Sequence, residues 1–186
     1  MARPTREELE AARDKTIPDV IAADLAVLFC GINPGLYSGA TGFHFARPGN
    51  RFWPALHRAG FTPRQLRPGE QDELLGHGVG ITNLVARTTA RADELGTDEL
   101  RDGAERLARL AGLYRPLAVA VVGISAYRVA FARPQARVGR QPHDLDGAEL
   151  WALPNPSGLN AHYQLPALAA EFRAIRQAGA AGERSR

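Results

Sequence analysis

Leu25-Ala26-Val27-Leu28-Phe29-Cys30, followed at once by Gly31-Ile32-Asn33-Pro34-Gly35-Leu36, is the stretch from which the fold is read. It has a shorter echo downstream, Leu150-Trp151-Ala152-Leu153 running into Asn155-Pro156-Ser157-Gly158-Leu159. Each is an apolar run that ends in an abrupt turn. Proline has no N–H and restricts the residue before it, so neither strand nor helix continues through Asn-Pro, and the nearby glycine lets the backbone approach a ligand closely. An asparagine is thereby fixed at each strand end. In open α/β sheets the ligand crevice lies beyond the carboxyl ends of the parallel strands, so the two turns are expected to face one pocket.

The remaining elements fit that frame. Val79–Val85 reads as a further strand, and Leu117–Gly123, continuous and rich in β-branched residues, as a strand covered on both faces. Glu149–Leu153 is the last, introduced by a hairpin signal at Asp146-Gly147. The helices expected between them span Asn50–Ala59, with Asn50 as cap, and Asp98–Tyr114, where apolar positions keep helical spacing and Gly103 is a weak point. A short helix capped by Ser125 runs to Phe131, and a C-terminal helix carries Leu165, Leu168, Ala169, Phe172 and Ile175 on one face. Thr5 and Glu8 have capping-box spacing for an exposed helix over Thr5–Asp14. Tyr37–Gly49 reads as a long Gly-rich functional loop, Phe61–Gly78 as loop with a short helix at Gly69–Leu75, Arg133–Asp146 as basic and turn-forming, and Gly179 onward as a disordered tail. Strands alternating with helices imply an α/β protein, a three-layer α/β/α sandwich around a mainly parallel sheet.

Bulk properties set bounds. The 186 residues, 45% of them hydrophobic, fit a single domain over 1–186, with its core at about 20–178. Net charge is +3 and the isoelectric point is near 9.5, which permits a nucleic-acid partner without establishing one. Cys30, the sole cysteine, lies in an apolar run and reads as a core residue. A cytoplasmic, soluble monomer is expected, with no signal peptide and no membrane span.

Several chemistries drop out. There is no phosphate-binding G-x-x-x-x-G-K-[ST] or G-x-G-x-x-G, and no G-x-S-x-G nucleophile elbow. The five histidines have no metal-ligand spacing, so neither a metal nor another cofactor is expected. What remains is an amide-lined, aromatic pocket. Asparagine offers both donor and acceptor, which suits a nucleobase edge or a water, and Phe43 or Phe45 could stack on a ring. The plainer reading stands beside it: Asn in Asn-Pro is commonly a turn residue, and a loop Phe a core plug.

With Gly42-Phe43-His44-Phe45, Pro48-Gly49-Asn50-Arg51-Phe52-Trp53 and Gly80-Ile81-Thr82-Asn83-Leu84-Val85 added to the two Asn-Pro turns, the chain resembles the mismatch-specific uracil/thymine-DNA glycosylases of the uracil-DNA glycosylase superfamily. The likeness covers most of residues 25 to 172. It implies flipping of a uracil, or a related pyrimidine, mispaired with guanine out of double-stranded DNA, and hydrolysis of its N-glycosidic bond. It also implies that Asn33 positions the water, that Phe45 stacks on the base, and that the backbone near Ile32 completes the pocket, with Ser38 beside the pyrimidine 5-position. Asn155, Ser157, Gly158, Leu159 and Asn160 would contact DNA, Leu159 as the wedge that fills the vacated space. Relatives specialised for uracil carry Asp in the first motif and His in the second; here both are Asn, which cannot deprotonate water. Where some relatives place an Arg that reads the opposing guanine, this chain has Asn160-Ala161-His162. Asp93, beyond the Val79–Val85 strand, is the candidate for the missing base, against the alternative of a solvated rim. Arg47, Arg51, Arg87, Arg91 and Arg140 are expected phosphate contacts. A catalytically weak mismatch sensor of the same fold, or a relative acting on a free nucleoside, are the alternatives.

Overall fold

The computed structural model describes residues 3–183. Among them, five segments pair into one sheet: β1 (Val27–Gly31), β2 (Val79–Asn83), β3 (Ala118–Val122), β4 (Gly139–Leu145) and β5 (Ala148–Leu153). Their spatial order is β2-β1-β3-β5-β4, parallel throughout except for β4, which runs antiparallel to β5 at the edge. β1, β2 and β3 are buried at every residue, as continuous apolar runs require when both sheet faces are covered.

The pleat divides the core in two. From β1, Val27 and Phe29 face α3 (Phe52–Arg58) and α6 (Leu165–Glu183), where Phe52, Leu56, Leu168 and Phe172 are fully or almost fully buried. Phe29 centres this side, its ring 5.4 Å edge-on from Phe52 and 5.0 Å from Phe172. Leu28 and Cys30 face the other way, toward α4 (Thr97–Tyr114) and α5 (Ile124–Ala130), with Leu107, Ala111 and Tyr127. These are the helix, sheet and helix layers of a three-layer α/β/α sandwich.

Topology and register together create the site. From β1 the chain leads to β2 on one side, whereas from β3 it leads to β5 on the other, so the loops leaving β1 and β3 diverge at a switch point. Gly31 pairs with Asn83, Cys30 with Val121, and Val122 with Leu153, which aligns the carboxyl ends of β2, β1, β3 and β5 along one edge.

Several elements differ from expectation. β4 lies in the stretch read as turn-forming. It is polar, largely exposed, contains Pro142 and shifts register between Arg140 and Asp144, traits of an edge strand that lack an apolar signature. The hairpin at Asp146-Gly147 forms as expected. The supposed long loop contains α2 (Leu36–Thr41), held by contacts rather than propensity: a Cβ on Gly39 would meet Thr88 Oγ1 at 2.7 Å and the Ala12 carbonyl at 3.2 Å. α5 is capped by Gly123, not Ser125, which sits inside the helix. α3 starts at Phe52, although Asn50 Oδ1 does accept its N–H at 2.9 Å. The Gly69–Leu75 segment is a 3-10 helix over Pro68–His77. The first helix, α1, is shorter than expected (Arg6–Glu10), with both capping-box bonds made between Thr5 and Glu8. α6 continues to Glu183 through the expected disordered tail, the last part of which, 184–186, lies outside the described residues. No helix among the described residues is long and apolar enough to cross a membrane.

Gly103 shows which of two effects governs α4. Alanine would improve helix propensity by ~1 kcal/mol. Its Cβ, however, would sit 2.5 Å from the Leu84 carbonyl oxygen and 2.9 Å from its carbon, backbone atoms that cannot swing aside. Overpacking of this kind costs ~1–3 kcal/mol. Gly103→Ala is therefore expected to lower the melting temperature by a few degrees, at about 2–4 °C per kcal/mol, in a thermal unfolding scan; an unchanged or raised midpoint would mean that α4 can slide off the β2 exit.

Candidate active site

A cleft of about 950 Å³ opens at the carboxyl edge, and Ile32, Asn33, Ser38, Phe45, Asp93, Asn155, Ser157 and Leu159 all line it. Gly158 and Asn160 are not among its lining residues; they belong to the loop that carries Leu159.

Asn33 is held with one orientation. Its Nδ2 donates to the Arg87 carbonyl at 3.0 Å and to Thr89 Oγ1 at 2.8 Å, while the Thr89 hydroxyl donates a hydrogen bond to the Arg91 carbonyl at 2.8 Å. A carbonyl only accepts, so the NH2 must face the segment leaving β2. Oδ1 is left with no protein donor among the described residues. The two stretches are stitched further by the Gly35–Thr89 bridge and by Leu84 and Val85 N–H groups donating to the Gly31 and Ile32 carbonyls.

The floor of the cleft holds a pair that the sequence reading passed over. His44 is almost fully buried, and its Nε2 lies 2.8 Å from the Pro18 carbonyl, so Nε2 carries the proton. Nδ1 is then the acceptor for Asn83 Nδ2 at 3.2 Å. Asn83 Oδ1 is packed over Gly31, occupying the space where any Cβ would go. The signal available was a polar residue closing the β2 strand at the same edge as the first turn. Phe45 stands beside this pair, stacked on Phe52 at 4.1 Å and held at a φ of +51°, an uncommon backbone for an aromatic residue that the surrounding packing must impose. Ser38, also buried, accepts the Ala46 N–H at 3.3 Å and so braces the Phe45 loop. Leu9 and Ile17 add an N-terminal contribution to the cleft wall that was likewise not foreseen.

The second turn is built differently. Asn155 Oδ1 accepts the Ser157 N–H at 2.9 Å, which fixes its amide the other way round, with Nδ2 lacking a protein acceptor among the described residues. Asn160 Nδ2 donates back to the Asn155 carbonyl at 3.0 Å, and Leu159 stands out with 77% of its surface exposed.

Asp93 lies on the cleft rim, exposed, with its carboxylate gripped by Arg91 at 2.6 and 3.2 Å. Glu94 is also engaged, by Arg13 and by the Arg91 N–H. Among the expected phosphate-binding arginines, most are occupied within the protein. Arg87 is doubly bonded to Glu99 and also meets Asp14, which raises its own pKa and draws that of Glu99 down to about 2. Arg140 pairs with Asp144 and Glu149, Arg91 with Asp93, and Arg51 with loop carbonyls. Arg47 lines the cleft without an ion pair among the described residues. Also among these residues, no three His, Cys, Asp or Glu side chains gather where a metal ion could be held.

Burial pushes the pKa of His44 below its ordinary value of 6.5, outweighing the Pro18 hydrogen bond and Asp19, which act the other way. A lowered histidine pKa means that the unfolded chain takes up the proton first. Stability from neutral His44 is thus complete above 6.5 and is lost as pH falls through that value toward the lower folded one. Thermal melts from about pH 8 to about pH 5 should fall more steeply for the native protein than for His44→Gln; parallel curves would remove His44 from the balance.

Comparison with known proteins agrees with this architecture. A family model described as the uracil DNA glycosylase superfamily matches residues 18–178. A solution NMR structure from Methanosarcina acetivorans, a candidate uracil DNA glycosylase, is similar with a TM-score of 0.59 and 20% identity, over 88% of this chain and 98% of that one. At that identity the likeness concerns the fold. The family match, spanning most of the chain and both Asn-Pro turns, is what identifies it: this protein belongs to the uracil DNA glycosylase superfamily, hydrolases of N-glycosyl bonds that act on DNA.

Proposed function

We propose that the chain is a monofunctional glycosylase that flips uracil, and related pyrimidines, mispaired with guanine out of duplex DNA and hydrolyses the N-glycosidic bond to leave an abasic site. The observation that carries this reading is the pair of oppositely oriented amides at one cleft. Asn33 Oδ1, with its NH2 committed to Arg87 and Thr89, is an acceptor that can orient a water; Asn155 Nδ2 is a donor for an anionic or carbonyl oxygen of the nucleotide. Between them Phe45 offers a ring face and Asn83 a fixed amide, a suitable set for the face and edge of an extrahelical base.

Amides do not take up protons at neutral pH, so the water is aligned but not deprotonated. General base catalysis ordinarily contributes about 10²–10⁴-fold, and slow turnover follows from forgoing it. Bond cleavage leads instead: the base departs as an anion toward oriented dipoles, the cationic sugar captures the aligned water, and the proton that the captured water then releases neutralises the base anion. Asp93 as general base is the competing reading, favoured by its place on the rim of the same cleft. In its pairing with Arg91 it would first have to be released. The proposed setting is a monomer in the cytoplasm, associated with the nucleoid through its duplex substrate.

Incubation with a duplex carrying one G·U pair, followed by alkali, should give strand scission at the uracil. Asn33→Ala is expected to slow single-turnover excision by about 10²-fold or more, while Asp93→Asn stays within about twofold of the native rate. Loss of activity in Asp93→Asn would transfer the base role to that carboxylate. No scission at excess enzyme would leave a mismatch-binding sensor, and excision of uracil only from free nucleoside would leave a nucleoside hydrolase.

Duplex binding should also weaken with salt, and Arg47→Ala should reduce the slope of log affinity against log salt by about 1. Binding that is indifferent to salt would remove the phosphate contacts from this reading.

A further inference from the structure

Main-chain carbonyls of the loop carrying Leu159 converge on one guanidinium. Arg51 Nη1 donates to the carbonyls of Asn160 at 2.8 Å and Tyr163 at 2.9 Å, with that of Ser157 at 3.5 Å, and Nη2 donates to Gly158 at 3.2 Å. Its own N–H bonds the Pro156 carbonyl at 2.8 Å. The loops are in direct contact as well, since a Cβ on Gly158 would come 2.6 Å from the Gly49 carbonyl oxygen. All the acceptors of this side chain among the described residues are carbonyls, so the charge has a structural role inside the loop rather than a partner in a carboxylate.

We propose that Arg51 is a positioning residue that holds the Ser157–Tyr163 loop in the form that enters the duplex; this rests on the reading of the site as a base-flipping glycosylase. With the carbonyls gathered inward, Leu159 is turned out, 77% exposed, although an apolar side chain on an untethered loop would fold back against the protein. A loop without regular structure that must be ordered by its ligand loses affinity to that ordering, and a clamp made beforehand removes the loss. The fork geometry matters. Nη1 alone meets the carbonyls of Ser157, Asn160 and Tyr163 and Nη2 adds that of Gly158, four acceptors around a planar fork where a lysine ammonium offers three donors at one point. Arg51 also precedes Phe52, on which Phe45 stacks, so the base pocket and the wedge share one rigid connection.

The test compares native protein, Arg51→Lys, Arg51→Ala, Leu159→Ala and the Arg51→Ala/Leu159→Ala double variant, after thermal melts confirm folding. Hydrogen exchange of the peptide covering 155–164 in the free protein should speed up at least tenfold in both Arg51 variants, with the rest of the chain unchanged. On a duplex with non-cleavable 2′-fluorodeoxyuridine opposite guanine and a neighbouring 2-aminopurine, both should lose most of the fluorescence rise that reports unstacking. Single-turnover excision from the cleavable G·U duplex should fall at least tenfold, and the double variant should be no slower than Leu159→Ala by more than about twofold. Unchanged loop exchange overturns the proposal, as does full recovery by Arg51→Lys, which keeps only the charge, or effects that multiply in the double variant. A native protein that does not cleave the G·U duplex refutes the functional reading instead, and the exchange measurement still decides whether Arg51 clamps the loop.

Discussion

Two hydrogen bonds from Asn33 Nδ2, to the Arg87 carbonyl and to Thr89 Oγ1, are the constraint around which the site is organised. They exist only because β1 and β2 are parallel neighbours in a register that ends them together, at Gly31 and Asn83, so that both exit segments leave side by side. The segment after β2 is in turn pinned from behind. Thr88 exchanges backbone bonds with Asp14 and Lys15 of the N-terminal arm, and its hydroxyl donates to the Lys15 carbonyl. The arm therefore acts on the orientation of Asn33 through the loop it holds.

The two Asn-Pro turns look like repeats of one device and work with opposite polarity. In the first, the long-range bonds take up the amide nitrogen and leave the oxygen; in the second, a local turn bond to Ser157 takes up the oxygen and leaves the nitrogen. A half-buried amide group aimed at a cleft is costly to leave dry, so each free atom is a place for water or ligand. The plainer reading, that Asn before Pro is a turn residue, is correct for one end of the Asn155 amide and compatible with a ligand role for the other. The same economy applies to the arginines. Those that look like phosphate binders in the sequence mostly neutralise carboxylates or gather carbonyls, because an arginine fork finds acceptors within its own fold whenever they lie close enough.

Much of the fold was legible. β1, β2, β3 and β5 announce themselves as apolar runs because they are buried on both faces, and α4 through its periodic stripe. β4 was not, since an edge strand needs no apolar residues to be held by β5. α2 was not, since its six residues have weak propensity and are stabilised by Thr88 and Ala12, partners distant in sequence. Of the site, Ile32, Asn33, Ser38, Phe45, Asp93, Asn155, Ser157 and Leu159 do share one cleft, while Asn83 and His44, though inside motifs quoted from the sequence, had no role there because their pairing depends on contacts with each other and with Pro18 that only folding makes.

The sequence by itself determined where the chain must stop being strand, and that an asparagine would stand at each of two such stops, because proline and glycine act on the backbone within one or two residues. It also determined the layers, since burial on both faces demands continuous apolar runs. Which atom of the Asn33 amide faces the cleft and what Arg51 holds were decided only by tertiary structure. Those properties depend on donors and acceptors brought within about 3 Å from segments 54 and 109 positions away, and hydrogen bonding at that range follows register and packing rather than residue type.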